Sequence, residues 1–368
     1  DVVGKGVLVA ETLERAAQRG VAVYLVIDGA GTPALPPEWV ARFDAAGVSW
    51  RIYSPLGRIG LLMPDRWRRM HRKLCVIDGL VAFCGGINVL DDFYDPNHGV
   101  LELPRLDFHV SVTGPLVQEV HAATAQFWWR VQALRNVREV DFSASWHTLQ
   151  KALQRAMHSR DKPRTDVLSR QARPNSTGVL AALVLRDNLR HRTRIERAYR
   201  QAIGEAREEI IIANAYFLPG RKLRKGLIHA AQRGVKVRLL LQGRYEYFMQ
   251  FHAARPVYGA LLDAGVEIHE YAVSFLHAKV AVVDGRWATV GSSNLDPLSL
   301  LLAREANVVI EDVAFARNLK TQLEDAIANG GTQMDALAFA NRPWRQRLLD
   351  RLAFGVMRLI LYLTGKRY

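Results

Sequence analysis

His71-Arg72-Lys73-Leu74-Cys75-Val76-Ile77-Asp78-Gly79 is the stretch that decides the fold, because the chain repeats its pattern 206 residues later. The second copy is His277-Ala278-Lys279-Val280-Ala281-Val282-Val283-Asp284-Gly285. Both copies follow the spacing H-x-K-x-x-x-x-D, and each is followed by a small-residue segment that ends in asparagine, Gly85-Gly86-Ile87-Asn88 and Gly291-Ser292-Ser293-Asn294. A single His-x-Lys pair is weak evidence for a site. Two copies with the same downstream asparagine are strong evidence.

Each copy predicts a β-hairpin that presents polar side chains on one face. Four apolar residues before Asp-Gly predict a buried strand, and the Asp-Gly pair predicts the turn. Because side chains alternate along a strand, His71 and Lys73 share one face, as do His277 and Lys279. An imidazole beside an ammonium, with an amide and a glycine backbone nearby, suits a phosphate group. For one copy alone, a core histidine explains the pattern equally well; the repetition favours the phosphate site.

A second repeat lies upstream of each motif. Residues 16–29 match residues 230–243, and each range predicts a helix end, a glycine cap and a buried strand. Ala46-Gly47-Val48 matches Ala264-Gly265-Val266 in the same way. The order helix, strand, helix, strand, hairpin thus occurs twice. This order predicts two similar α/β domains, each a mixed sheet flanked by helices.

We expect the first domain at residues 1–150, a linker at 151–178, the second domain at 179–340 and a tail at 341–368. The linker is predicted from its polar composition and its prolines and glycines. The second half has a helix and a strand before its repeat, where the first half has only 15 residues. We therefore expect the N-terminal strand and helix of the first domain to be missing. Residues 56–67 add a basic stretch, either a substrate-entry rim or a solvated loop.

The composition limits which classes of partner fit the chain. A net charge of +14 on 368 residues points to an anionic partner, either nucleic acid or an anionic membrane surface. No apolar run reaches the length needed to span a bilayer. Cys75 and Cys84 are predicted to be buried thiols. No cluster has metal-ligand spacing, so we expect neither a metal nor a cofactor.

The paired motifs resemble the signature of the phospholipase D superfamily, H-x-K-x4-D followed by G-[GS]-x-N, and both halves of the chain carry it. The resemblance implies two domains related by a pseudo-two-fold axis, with one active site between them. It also implies phosphodiester transfer through a phosphohistidine, with a second histidine as acid and base. We assign the nucleophile to His71 and the acid/base role to His277, and the near symmetry leaves the reverse order open.

The same resemblance assigns the other site residues. Those expected to bind the phosphate are Lys73, Lys279, Asn88, Asn294, Ser292 and Gly86. Glu305 lies where the superfamily has a glutamate, and Asp107 is its first-half analogue, so each is expected to orient a histidine through Nδ1. An ordinary surface carboxylate explains Asp107 equally well. Asp78 and Asp284 complete the motifs, and their places next to the turns favour a structural role.

Within the superfamily the chain resembles bacterial cardiolipin synthases without N-terminal transmembrane helices. The further features that carry this resemblance are residues 294–299, Glu305-Ala306-Asn307 and Arg342-Pro343-Trp344. It implies phosphatidyl transfer from phosphatidylglycerol to a second alcohol, by a peripheral protein on the cytoplasmic face of the bacterial inner membrane. The identity of that alcohol and the oligomeric state stay open. The alternatives are a superfamily nuclease or DNA-end phosphodiesterase, and a non-catalytic module that binds anionic surfaces. Nucleic acid is not expected, because no basic strand interleaved with aromatic residues stands out.

The tail is basic and amphipathic. Its apolar residues recur at three- and four-residue steps, and arginines interrupt them, which predicts a helix lying in the surface of an anionic membrane. The alternative is a C-terminal helix packed on the core of the second domain.

Overall fold

The computed structural model describes residues 4–55, 69–95, 98–138, 178–187, 191–244, 248–296 and 303–363. Nearly all of the predicted linker, the basic stretch 56–67, residues 297–302 and the last five residues of the tail lie outside these ranges. The domain boundaries therefore stay predictions.

The first half places two helices and two parallel strands ahead of its motif: α1 (Lys5–Gln18), β1 (Tyr24–Asp28), α2 (Pro37–Ala46) and β2 (Ser49–Tyr53). The elements around the motif are β3 (Arg69–Met70), β4 (Lys73–Ile77), β5 (Val81–Gly85), β6 (Tyr94–Asp95), β7 (Gly99–Val100), β8 (His109–Thr113) and α3 (Pro115–Arg138). Strands β4 and β5 form the predicted hairpin. They join β8 in an antiparallel three-stranded sheet, on which α3 packs.

The second half repeats this order with more elements. Before its motif it has β9 (Leu180–Arg186), α4 (Arg194–Glu205), β10 (Glu209–Asn214), α5 (Arg221–Gln232), β11 (Lys236–Gln242), α6 (Phe248–Leu262) and β12 (Glu267–Tyr271). The motif and the C-terminal part supply β13 (Lys279–Val283), β14 (Trp287–Gly291), β15 (Ala303–Glu311), α7 (Val313–Gly330), β16 (Gly331–Gln333), α8 (Ala336–Ala340) and α9 (Trp344–Leu363). The strands form a mixed sheet in the order β16-β12-β11-β10-β13-β14-β15-β3, with β9 also paired to β15.

The repeated helix-glycine-strand junctions have the same backbone geometry in both halves. Gly20 and Gly234 have φ angles of 90° and 89°, and Gly47 and Gly265 have 81° and 86°. This left-handed conformation is accessible to glycine without a steric cost, which explains the glycine at each junction. The prediction of two similar α/β halves is confirmed. The second half has the mixed sheet, whereas in the described part of the first half the parallel pair β1-β2 and the antiparallel sheet β4-β5-β8 are separate.

One hydrophobic cluster spans the two halves. Cys84 and Val110 of the first sheet pack with Val280, Val290 and Val308 of the second. At the boundary, β3 pairs in parallel with the start of β15, and Leu106 forms a parallel bridge with Leu276. Each half therefore adds backbone hydrogen bonds directly beside the motif of the other half.

The prediction of a buried motif strand is right for the second half and wrong for the first. All five residues of β13 are buried, whereas β4 is only partly buried and its Cys75 is exposed. The reason lies at the outer edge of the hairpin, where β10 pairs along β13. The described part of the first half has no counterpart of β10 beside β4. The thiol of Cys84 is buried, as expected.

The tail forms the predicted helix, α9, which packs on α6. Asp350, Ala353 and Met357 are buried in this contact, so the alternative of a packed helix holds for that side of α9. Among the described residues, no helix combines the length and the apolar character needed to cross a bilayer.

Candidate active site

The two motif histidines each contact a carboxylate from the opposite half. Nδ1 of His71 lies 3.1 and 3.2 Å from the two carboxylate oxygens of Glu305, and Nδ1 of His277 lies 2.6 Å from Oδ2 of Asp107. The side chains of Glu305 and Asp107 are 0% and 6% exposed. A carboxylate on Nδ1 fixes the tautomer and leaves Nε2 to face a substrate. The ordinary surface-carboxylate interpretation of Asp107 is therefore wrong.

The backbone repeats the crossed pattern. The N–H of His71 donates to the carbonyl of Arg304 at 3.0 Å, and the N–H of His277 donates to the carbonyl of Leu106 at 2.9 Å. Each acceptor residue immediately precedes the carboxylate that holds the same histidine. Each histidine is thus fixed at both its backbone and its ring by one short segment of the other half.

The motif lysines gather positive charge beside the histidines. Nζ of Lys73 donates to the carbonyl of His71 at 3.0 Å, and Nζ of Lys279 donates to the carbonyl of His277. Burial lowers the pKa of Lys73 to about 7; the carboxylate of Glu305 opposes this shift and the ammonium of Lys279 adds to it. Lys279 itself has no exposed surface. Two such ammonium groups favour an anion between them.

Both imidazoles are neutral near pH 7. Burial lowers the pKa of His71, with the negative charge of Glu305 opposing the shift. Burial and the nearby Lys279 ammonium lower the pKa of His277 to about 3, despite its hydrogen bond to Asp107. A phosphate oxygen close to either ring would favour the imidazolium and raise these pKa values.

The two carboxylates stay ionised. Burial alone would raise the pKa of Glu305, but His71, Lys73 and a 2.6 Å hydrogen bond from Ser292 Oγ lower it. Burial likewise opposes ionisation of Asp107, and the charge of Lys279 with the hydrogen bond of His277 lowers its pKa. With lowered pKa values, both carboxylates are too weakly basic to hold a proton near neutral pH, so their part is to orient the rings and stabilise positive charge on them.

Ser292 and Gly86 lie against these carboxylates, and their contact with a phosphate stays a prediction. The hydroxyl of Ser292 donates to Glu305, and its carbonyl oxygen lies 3.1 Å from Nδ1 of His71. A Cβ atom at Gly86 would lie 2.2 Å from Oδ1 of Asp107, so any side chain there would displace the carboxylate. Gly86 follows β5 and Ser292 follows β14. The antiparallel neighbour of β5 is β8, which begins just after Asp107, and that of β14 is β15, which contains Glu305, so this register explains the two positions.

The asparagines lie at the equivalent point of each half, just after β5 and β14. Asn294 is buried, whereas Asn88 is partly exposed. Contact of either amide with a phosphate stays a prediction.

The motif aspartates lie at the turns, with φ angles of 52° for Asp78 and 50° for Asp284. The carboxylate of Asp284 accepts backbone hydrogen bonds from Arg207, Glu208 and Glu209 at 2.9, 2.9 and 3.0 Å. Since Asp284 lies at the end of β13 remote from His277, we assign it no part in the proton transfers.

His109 and Asn307, for which the sequence predicted no role in the site, each hold the segment that follows a motif hairpin. His109 accepts the N–H of Ile87 at 3.2 Å, and Asn307 accepts the N–H of Ser293 at 3.4 Å. These two pairs are equivalent in the repeat, but the acceptors differ in type, so matching letters could not reveal them. His109 pairs with Gly85 at the end of β5, and Asn307 pairs with Gly291 at the end of β14. This shared register is the signal that could have revealed them.

Arg72 is a further missed residue. Its guanidinium donates to the carbonyls of Glu305 and Arg186 at 3.1 and 2.9 Å, and burial lowers its pKa to about 10. It fixes the backbone of the carboxylate residue. The second motif has Ala278 at this position, so the repeat gave no reason to select it. Within the described ranges, no group of three or more His, Cys, Asp or Glu side chains could hold a metal ion.

Comparison with known proteins shows which family the chain is similar to. A family model described as "Cardiolipin synthase, PLD-like domain" matches residues 5–101 and 199–327. Cardiolipin synthase B of Escherichia coli (strain K12) is 39% identical over 367 residues, which cover 99% of this chain and 81% of that protein. The probable cardiolipin synthase YwiE of Bacillus subtilis is 28% identical over 88% of this chain and 58% of that protein.

Among solved structures, the phosphatidylserine synthase of Haemophilus influenzae Rd KW20 has a TM-score of 0.58 and 10% sequence identity. The match covers 97% of this chain and 94% of that one, and it shows the shared fold. The resemblance seen in the paired motifs is confirmed. The chain belongs to the cardiolipin synthase family of phospholipase D-like proteins.

Proposed function

We propose that phosphatidylglycerol is both donor and acceptor for this enzyme and that His71 carries the phosphatidyl group between them. As a member of its family, the chain is a phospholipase D-type phosphatidyltransferase that makes cardiolipin. The observation that carries the mechanism is the crossed arrangement, in which each half orients the histidine of the other through a buried carboxylate.

In the first step, neutral Nε2 of His71 attacks phosphorus. A P–N bond forms while the P–O bond to the glycerol headgroup breaks, and Nε2–H of His277 protonates the leaving glycerol oxygen. The phosphorylated ring of His71 keeps its Nδ1–H and becomes positively charged. Ionised Glu305, 3.1 Å from Nδ1, stabilises that charge.

In the second step, now-neutral His277 removes the proton from a hydroxyl of the second phosphatidylglycerol. The alkoxide oxygen attacks phosphorus, the P–N bond breaks, and His71 returns to its neutral form. The products are cardiolipin and the glycerol released earlier. His277 regains its proton in this step, so the cycle is balanced.

Positive charge around the phosphate supplies the stabilisation of the transition state. Lys73 and Lys279 neutralise the non-bridging oxygens, and Asn88 and Asn294 donate hydrogen bonds to them. The bound phosphate also raises the pKa of His277 from about 3, which allows this ring to carry the proton that the leaving group needs.

We place the reaction at an anionic membrane surface, with the enzyme peripheral on the cytoplasmic face of the bacterial inner membrane. The net charge of +14 supports this, because anionic headgroups attract a basic protein and raise its concentration at the bilayer.

Lipid analysis of phosphatidylglycerol vesicles after incubation with the purified protein tests the proposal. We expect cardiolipin and glycerol in equal amounts, and neither product with the His71→Ala variant. Formation of phosphatidic acid in place of cardiolipin would contradict phosphatidylglycerol as acceptor. A requirement for added phosphatidylethanolamine would contradict it as well.

A further inference from the structure

Helix α9 contacts the rest of the protein through one narrow stripe. Asp350, Ala353 and Met357 are buried, and they recur at steps of three and four residues along the helix. The carboxylate of Asp350 accepts from Nη1 of Arg342 at 3.0 Å and lies 2.7 Å from Nδ1 of His252 in α6. This paired carboxylate fixes which side of α9 faces the protein.

The opposite side of α9 faces solvent and is apolar except for Arg345 near its start. Its exposed residues, with their exposed fractions, are Trp344 (63%), Leu348 (48%), Leu352 (58%), Val356 (47%) and Leu359 (56%). Successive members are three or four residues apart, which places them on one side of the helix, turned away from Asp350 and Met357. In water, an exposed apolar stripe does not stabilise a helix that is already packed through its other side. This surface therefore indicates a contact with another apolar phase.

Exposed cations lie beside this apolar stripe. Arg347, Arg351 and Arg358 recur at steps of four and seven residues, which places them in one row between the buried and the apolar sides. Between Trp344 and Leu359 the only acidic residue is Asp350, and it is buried and paired. The exposed surface of α9 is thus apolar and positively charged, and an anionic lipid bilayer matches both properties.

A small cavity links α9 to the second motif. It has a volume of about 40 Å³, and Met357 of α9, Tyr258 of α6 and Asp296 are among its lining residues. Asp296 follows Asn294 by two positions. The helix therefore lies close to the loop that completes the candidate site.

We propose that α9 is the element that docks the enzyme on an anionic phospholipid bilayer, lying parallel to its surface. Its apolar stripe enters the acyl boundary, its arginine row binds headgroup phosphates, and its buried stripe holds the site against the membrane. This proposal rests on the proposed function, since it names the surface through which that function meets its lipid.

The test uses a double variant of the full chain, Leu348→Glu with Leu352→Glu, and a matched control with the same charge change elsewhere, Leu8→Glu with Val179→Glu. The control residues are 58% and 56% exposed and lie outside α9. Sedimentation with phosphatidylglycerol vesicles measures docking. Turnover of dihexanoyl phosphatidylglycerol, dissolved as monomers, measures the site without a membrane.

We expect the ratio of bound to free protein to fall at least about tenfold for the α9 variant and to stay at the wild-type value for the control. Turnover of the monomeric lipid should be unchanged in both, which also shows that they are folded. Vesicles of phosphatidylcholine, which carry no net charge, should bind the wild type at least about tenfold more weakly. Leu348→Gln with Leu352→Gln provides a milder variant if the glutamates prevent folding.

Wild-type vesicle binding by the α9 variant, or an equal loss in the control, would overturn the docking role. Equal binding of the wild type to phosphatidylcholine and phosphatidylglycerol vesicles would overturn the role of the arginines in binding headgroup phosphates. A wild-type protein that docks through α9 yet makes no cardiolipin would contradict the proposed function and leave the docking role intact.

Discussion

The two motif hairpins carry the same hydrogen bonds but are supported differently. Strand β13 is buried along its whole length between β10 and β14, whereas β4 is partly exposed and, in the described ranges, pairs only with β5. In both hairpins the lysine donates to the carbonyl of its own histidine, the histidine N–H donates across the boundary, and Nδ1 contacts a carboxylate of the other half.

This difference shows that contacts across the boundary determine the geometry of the site. Unequal support in the two sheets coexists with nearly equal catalytic contacts. The matching contacts are those that β15 makes with β3 and that Leu106 makes with Leu276. A site of this kind requires both halves to be folded and docked, whatever the burial of each motif strand.

The largest expected effect comes from removing either histidine. His71→Ala and His277→Ala should each lower phosphatidyl transfer by at least about 10⁴-fold, because the nucleophile and the acid/base act on the same phosphorus. Cardiolipin formation from phosphatidylglycerol vesicles measures this, with His229→Ala on the exposed side of α5 as the control. A large loss of activity in only one of the two variants would show that the two hairpins are not functionally equivalent.

Removing an orienting carboxylate should have the next largest effect. Glu305→Gln and Asp107→Asn should each lower kcat by about 10²-fold or more, since the ring loses its tautomer and the stabilisation of its positive charge. The negative charge of Glu305 raises the pKa of His71, so Glu305→Gln should lower that pKa further. NMR titration of the histidine rings checks which carboxylate controls which histidine.

The Glu305→Gln variant should perturb the ring signals of His71 more than those of His277, and Asp107→Asn should do the reverse. If each carboxylate instead controlled the histidine of its own half, the crossed arrangement would be wrong.

A smaller effect is expected from pH. The pKa of Lys73 is about 7, so its protonated fraction falls as the pH rises through that value. Because only the ammonium form neutralises the phosphate, kcat/KM should fall by about tenfold per pH unit above it. The Lys73→Arg variant stays charged, so its kcat/KM should decline less steeply above pH 7 than that of the wild type. Identical profiles for the wild type and this variant would show that another group controls the decline.

The smallest expected effect separates the turns of the two hairpins. Asp284→Asn keeps the left-handed turn but loses one of the carboxylate oxygens that accept the N–H groups of residues 207–209. We expect it to lower the free energy of unfolding by about 1 kcal/mol. Asp78→Asn should cost less, because the described residues provide no such segment beside it. Denaturant unfolding measures both, and equal losses would contradict the structural difference between the turns.

Much of the fold followed from the duplicated motif and the matched helix-glycine-strand junctions. Local patterns predict these features, because strand alternation and left-handed glycines depend on a few neighbouring residues. The partial exposure of β4 did not follow, because burial depends on whether a strand such as β10 pairs at its other edge. The same local apolar pattern in Lys73–Ile77 and Lys279–Val283 therefore led to different burial.

The histidines, the lysines and the two carboxylates were named from the sequence, but their crossing was not. The partner of His71 lies 234 positions away in Glu305, and no spacing within one half encodes that contact. The contacts of Ser292 and Gly86 with these carboxylates were not predicted for the same reason, since they depend on the register against the strands beside Glu305 and Asp107. The site contacts of His109, Asn307 and Arg72 were missed because the residue types at these positions differ between the two copies.

A short-chain phosphatidyl ester of p-nitrophenol tests the central claim most directly, because its leaving group departs without a proton. With this donor, the His277→Ala variant should release one p-nitrophenolate per protein molecule and then stall, with the phosphatidyl group attached to the peptide that contains His71. The His71→Ala variant should show neither release nor adduct. An adduct on the peptide with His277, or turnover with no covalent adduct on either histidine, would contradict the account.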